Sequence, residues 1–301
     1  MTSLAETARD APPPPALPEA RPMRLRAHGV ELHAMAAGPE DGPLVLLLHG
    51  FPEFWWAWRR QIAPLAAAGL RVVAPDLRGY NLSERPRGAS AYRLSEVSAD
   101  VLAIADSLGR ERVSLVGHDW GAIIAWHLAA TRPERLERVA ILNGPHPATL
   151  RPHLMAHPLQ ALRLSYFAAF QVPALPEAML RAGNFAALAR AMRATAQPRS
   201  FPPSELDHYR AAWARPGALT AMLNWYRAAL RHPMRVPRGR IAVPVRIIWG
   251  DRDVALDPDL AEAGMALCEE AEVFHLPHAT HWLQHDEPEA VNRLLLEFLA
   301  A

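Results

Sequence analysis

The sequence predicts an α/β protein, a mostly parallel sheet flanked by helices with a helical cap inserted late in the chain. Three observations carry that expectation. Short apolar runs alternate with segments of helical periodicity, as in parallel sheets covered on both faces. The alternation stops between Pro145 and about Arg235, where Ala, Arg, Leu and aromatic residues recur at helical spacing. Finally, Gly117-His118-Asp119-Trp120-Gly121-Ala122 directly follows the apolar run from Val113 and opens a helical segment. That is the layout of a tight strand-to-helix elbow.

The elements follow in order. Residues 1–22 contain Pro12-Pro13-Pro14-Pro15 and several charges but no apolar core of signal-peptide length, and read as a disordered Pro-rich tail. Met23–His28 and Val30–Ala36, parted by Gly29, suggest an opening β-hairpin. Leu44–Leu48 is a continuous apolar run, as in a strand buried on both faces. Helical signal over Phe54–Ala68 precedes a short strand at Arg71–Pro75. Ser95–Leu108 repeats apolar residues at helical spacing, with Ser95 as its N-cap. The elbow strand, its helix over Ile123–Ala130 and a strand at Val139–Leu142 come next. After Pro244 the alternation resumes with Val245–Trp249, a helix near Pro258–Cys268, a strand at Glu272–His275 and a final helix over Pro288–Ala300. The chain thus divides into a sheet core (23–144 and 236–301) and a cap (145–235). The cap is expected over the C-terminal edge of the sheet, where open α/β sheets bind ligands.

Composition narrows the function. A chain of 301 residues holds one large α/β domain with an insertion, or two ordinary domains. Half the residues are hydrophobic and 21% charged, which fits a soluble globular protein. The net charge of +1 offers no footprint for nucleic acid or for an acidic membrane. No run of about 20 apolar residues supplies a membrane span. Every basic residue is Arg, so Schiff-base and P-loop lysine chemistry are excluded. A lone cysteine, Cys268, allows neither a disulfide framework nor a cysteine metal site. Nothing points to an oxidising compartment, and a cytoplasmic location is expected.

The elbow carries the chemistry. Its central side chain is a carboxylate, and an aspartate at a helix start is already an anion, whereas a serine must first lose a proton. The plain alternative is that Asp119 caps the helix. A covalent carboxylate mechanism also needs a base, an orienter for that base and donors for an oxyanion. In the order usual for such elbows, an acid and then a histidine follow the nucleophile. Strand Val245–Trp249 ends in Gly250-Asp251-Arg252-Asp253. Asp253 is preferred as the acid, and Asp251 as a loop residue. The alternative acid position, after Val139–Leu142, holds Asn143 and cannot serve. Of His275, His278, His281 and His285, His275 sits within the strand and His285 begins the helical approach, and His281, just before the final helix, is in the right place. Oxyanion donors are expected from the backbone of Trp120 and of Phe51, within His49-Gly50-Phe51-Pro52-Glu53. Glycine there permits a close backbone approach, and Phe51-Pro52 is a candidate cis bond. The plain alternative is an ordinary strand-ending loop.

With these residues assembled, the chain resembles the soluble epoxide hydrolases of the α/β-hydrolase superfamily. The matching residues are His49-Gly50-Phe51-Pro52-Glu53, Arg78-Gly79-Tyr80-Asn81-Leu82-Ser83, Gly117-His118-Asp119-Trp120-Gly121, Asp253 and His281-Trp282. The likeness runs from Met23 to the C-terminus and implies an α/β-hydrolase fold. Asn81 and Thr280 depart from the family pattern, which often has Gly at the first position and usually at the second. The resemblance implies two cap tyrosines that donate to an epoxide oxygen. Leu223-Asn224-Trp225-Tyr226-Arg227 matches the second tyrosine motif, and Ser165-Tyr166-Phe167-Ala168-Ala169-Phe170-Gln171 resembles the first. On composition alone, a helical tyrosine is more often core or interface. The family chemistry would make Asp119 the nucleophile, His281 the base oriented by Asp253, and Tyr166 and Tyr226 the acids. Phe167, Phe170 and Trp282 would line the pocket for a small apolar epoxide.

The resemblance implies no metal and no organic cofactor. Two rivals stand beside it. A haloalkane- or haloacid-type dehalogenase uses the same aspartate, but Phe51 stands where haloalkane dehalogenases commonly place Asn. Trp120 and Ile123 occupy positions where fluoroacetate dehalogenases favour Arg. A non-catalytic ligand sensor on the same fold would leave the acid–base set and both tyrosines unexplained. A serine esterase is excluded because no serine occupies the elbow.

Overall fold

Runs of aliphatic residues build one eight-stranded sheet in the computed structural model, which describes residues 17–237 and 239–300. In chain order the strands are β1 (Arg21–Ala27), β2 (Val30–Ala37), β3 (Leu44–Leu48), β4 (Arg71–Pro75), β5 (Val113–His118), β6 (Leu136–Leu142), β7 (Val245–Gly250) and β8 (Ala271–Leu276). They lie in the order β1-β2-β4-β3-β5-β6-β7-β8. The β1–β2 and β2–β4 pairings are antiparallel and the rest parallel. Each residue of β3 and β5 is buried, the consequence of helices on both faces. Strand order reverses direction at β3 and β5, the kind of switch point where α/β sheets open a crevice.

Helices α1 (Ile62–Ala67), α2 (Leu94–Ser107) and α3 (Trp120–Thr131) pack within the first half. Six more fill the interval between β6 and β7: α4 (Pro147–Ala156), α5 (Pro158–Arg163), α6 (Tyr166–Ala169), α7 (Leu175–Thr195), α8 (Pro203–Trp213) and α9 (Ala218–Arg231). The chain ends with α10 (Asp259–Met265), α11 (Leu283–Asp286) and α12 (Pro288–Leu299). Helix α7 is interrupted, since Gly183, Asn184 and Phe185 all take positive φ. Residues on both sides of that break, Leu180 before it and Leu188 and Met192 after it, line one cavity. No helix among the described residues is long and apolar enough to cross a membrane.

Three expectations need correction. The tail assigned to residues 1–22 ends earlier, because Arg21 already pairs with Ala36 and Ala20 is buried. The tetraproline, within residues 1–16, lies outside the described residues. Phe54–Ala68 is not one helix but a 3-10 turn over Trp55–Trp58 followed by α1. Pro64 explains the break: it lacks an N–H and is tolerated only in a first turn, which is where α1 places it. Ser95 is not a cap either. Helix α2 starts at Leu94 behind an extended Arg93, with no side-chain cap.

Candidate active site

The C-terminal ends of five parallel strands or their loops converge on one cavity. Asp119 joins β5 to α3 in the left-handed region, at φ 51°. Close packing holds this turn in place. A Cβ on Gly121 would lie 2.0 Å from the Leu48 carbonyl oxygen, and one on Gly50 would lie 2.3 Å from the Asp119 carboxylate. Asp119 stands at the N-cap position of α3, yet its side chain makes no capping bond. Instead Oδ1 accepts the Phe51 backbone N–H at 2.8 Å. The Phe51–Pro52 peptide bond is cis. The Trp120 N–H is the first of α3 and so has no partner within the helix.

His281 enters from the loop after β8. Its Nε2 lies 3.9 Å from Asp119 Oδ2, and its Nδ1 bonds Asp253 Oδ2 at 2.7 Å. Asp253 is buried and fully engaged. Its Oδ1 accepts the Ala255 and Leu256 amides at 2.7 and 3.0 Å, and Oδ2 also accepts Asn143 Nδ2 at 2.8 Å. Burial works against this charge, but His281 and these donors outweigh it and hold the carboxyl below its ordinary range. Burial alone would lower the His281 pKa. The charges of Asp253, then Asp119 and Glu53, reverse that and raise it to about 9. Asp251 is elsewhere, paired with His275 at 2.5 Å on the outer edge of the sheet.

Asn143 is a residue whose part the sequence reading missed. At φ 36° it accepts the Gly250 N–H at 2.7 Å while donating to Asp253, so it ties the ends of β6 and β7 together. Asn143→Ala is expected to cost about 1–3 kcal/mol of stability, the usual penalty for stranding buried polar partners. Urea denaturation of the two proteins measures it.

A second buried network lies behind the histidine. His118 Nε2 donates to the His281 carbonyl at 2.8 Å, and its Nδ1 accepts from Gln284 Nε2 at 3.2 Å. Gln284 also donates to Glu53 Oε2 at 3.1 Å. Glu53 Oε1 accepts from His285 Nε2 at 2.7 Å and from the Tyr209 hydroxyl at 2.8 Å. Burial opposes the Glu53 charge, yet His285 beside it more than compensates and holds the carboxyl below its ordinary range. Sequence reading treated Glu53 as loop, His118 as elbow spacing and His285 as a rejected base. Glu53 and His118, each inside a motif segment, were the available signal. Thr280, one of the two departures, is used: its N–H and Oγ1 both donate to Asp286 Oδ2, at 2.8 and 2.5 Å.

The cavity has a volume of ≈ 310 Å³. Asp119, His281, Tyr166 and Tyr226 all line it, as do Phe51, Trp120, Phe167, Phe170 and Trp282. Tyr226 is buried on α9, its ring 4.7–5.2 Å (centroid to centroid) from those of Phe51, Trp120, Phe167 and Phe170 in T-shaped contacts. Tyr166 opens α6, half-buried, with its ring 5.8 Å from that of Tyr226. Burial, and then the Asp119 charge among others, raises both phenol pKa values, so both stay protonated donors. Trp282 is fixed by its Nε1 donating to Thr195 Oγ1 at 2.9 Å. The structure therefore brings the side chains expected at the site to one cavity, with Asp253 behind His281. It can offer a carboxylate nucleophile, a paired base and two neutral hydroxyl donors inside apolar walls.

Comparison with known proteins gives a matching result. Residues 43–288 match the α/β-hydrolase fold family. The "AB hydrolase superfamily protein YfhM" of Bacillus subtilis is 44% identical over 275 residues, covering 91% of this chain and 96% of that protein. "Epoxide hydrolase A" of Mycobacterium tuberculosis is 34% identical over 316 residues, covering 90% and 95%. Among solved structures, the Bacillus megaterium epoxide hydrolase in complex with an inhibitor has a TM-score of 0.85. It is 30% identical, and the match covers 93% of this chain and all of that one.

Proposed function

The chain belongs to the α/β-hydrolase family, within its epoxide hydrolase branch, and on that premise we propose that it hydrolyses a small apolar epoxide to a vicinal diol. One observation carries the reading. The cavity places two phenols that stay protonated in the same apolar chamber as Asp119, and an oxygen leaving group requires such donors. Asp119 attacks an epoxide carbon, the C–O bond opens, and Tyr166 and Tyr226 hold the oxygen while one of them gives it a proton. The result is an alkyl ester on Asp119 and a phenolate. His281 then takes a proton from water, which adds to the ester carbonyl carbon. The tetrahedral oxyanion meets the Phe51 and Trp120 amides, donors typically worth about 3 kcal/mol each. Collapse expels the alkoxide, which takes the proton of the re-formed Asp119 carboxyl to give the diol, and the proton carried by His281 returns to the phenolate.

The inserted helices act as the cap of this site, supplying both phenols and most of the apolar wall. Its lining favours neutral, apolar substrates. The rival dehalogenase reading needs halide donors, and the residue after His49-Gly50 is Phe51. A panel of aryl, terminal-alkyl and fatty-acid epoxides with haloalkane controls tests the assignment: diol formation is expected, halide release is not. Binding of a ligand without turnover of any epoxide would favour a sensor. Tyr226→Phe and Tyr166→Phe should each lower kcat/KM by about 10- to 1,000-fold, the range for lost transition-state donors and acids. Folding should be nearly unaffected, because only the hydroxyl is lost.

A further inference from the structure

We propose that the outer face of α4, α5 and α7 docks on an anionic phospholipid surface. Eight large apolar side chains are exposed among the described residues, and six of them cluster in this part of the chain. These are Met155, Leu159, Leu162, Val172, Leu175 and Met179, with exposures from 45% to 76%. Exposed apolar groups scattered singly need no explanation, but six within residues 155–179, a stretch whose helices border one cavity, do.

Charge selects the partner. Residues 147–195 hold five arginines and one acid, Glu177, while the whole chain carries only +1. Glu177 is taken by Arg227, with contacts at 2.8 and 3.1 Å. Arg163 pairs with Asp257 at 2.6 Å. Arg151, Arg181, Arg190 and Arg193 are exposed and have no acidic partner among the described residues. The whole-chain charge, from which no membrane contact was expected, conceals this segregation. Arg190 and Arg193 lie past the break in α7, beside α8, but Arg151 and Arg181 flank the apolar side chains, and that combination matches a headgroup layer over acyl chains. A second copy of the chain fits worse, since self-pairing would set these arginines against each other with no acid between them.

The same helices border the cavity: Leu150, Leu164 and Leu180, which line it, come from α4, the end of α5 and α7. Docking would therefore hold the cap, and the cavity beneath it, close to a store of apolar molecules. The surface does not depend on the reaction assigned above.

Co-sedimentation of the full chain with vesicles tests it. Binding to phosphatidylcholine containing about one-third phosphatidylglycerol is expected to be about ten-fold or more above that to phosphatidylcholine alone, and to fall with added salt. The Leu159→Glu, Leu162→Glu double variant should lose about ten-fold or more of that binding and keep the wild-type melting temperature, since both side chains are exposed. Neither lines the cavity. No binding to the anionic vesicles at low salt, or equal binding by the double variant, overturns the proposal. So does a solution dimer that the double variant dissociates, because the face would then belong to a second copy.

Discussion

His281→Gln is expected to turn over once and stop, with an alkyl ester accumulating on Asp119. The nucleophile needs no base, so the first step survives. The second step needs a group that removes a proton from water, and glutamine cannot. Intact mass should rise by the mass of one epoxide, and steady-state turnover should fall by about 100- to 10,000-fold, the span for lost general-base catalysis. The electrostatics add a pH signature. In the resting site the Asp119 charge is among those that hold the His281 pKa up at about 9. Esterification removes that charge, so the imidazole of the ester form titrates lower and is released to act as base. In the wild type, ester hydrolysis measured by rapid quench should rise with pH to a plateau whose midpoint lies below 9. The His281→Gln protein should show no such rise. Ester formation should not follow this curve, because it does not require neutral His281.

Asp119→Ala should behave oppositely. No adduct should form with any epoxide, and turnover should drop by about 10,000-fold or more, as for removal of a covalent nucleophile. The contrast between the two variants separates a two-step route from direct attack of water on the epoxide. The alanine protein should still fold. The carboxylate supplies no helix cap, and its one backbone donor, the Phe51 N–H, faces a cavity that water can enter. A stability change of about 1 kcal/mol is expected, which thermal unfolding can read.

The legible parts of this site share a property: each lies where a strand ends, and strand ends are punctuated. Asp119 sits among small residues after an apolar run, and Asp253 lies three residues past the glycine that closes β7. His281 was chosen among four neighbouring histidines by its loop position. The structure separates them physically: His275 bonds Asp251 and Glu262 at the sheet edge, and His285 bonds Glu53 in the interior. What sequence did not reveal was polar pairing across distance. The Glu53–His118–Gln284–His285–Tyr209 network joins residues up to 232 positions apart, and no local pattern encodes such partners. Asn143 illustrates the same limit. Read only as an acid that is absent, it is the side chain that orients the acid present. Trp55–Trp58 does not run on into α1 for a local reason, Pro64, which the sequence shows.

The central claim is that an oxygen atom of Asp119 becomes an oxygen of the product. A single turnover in ¹⁸O-labelled water, with enzyme in excess over epoxide, tests it most directly. The diol of that first turnover should carry no label, and the label should appear in the Asp119 carboxylate, located by peptide mass. Labelled diol in the first turnover, with an unlabelled Asp119, would mean that water attacks the epoxide itself, and the covalent account would be wrong.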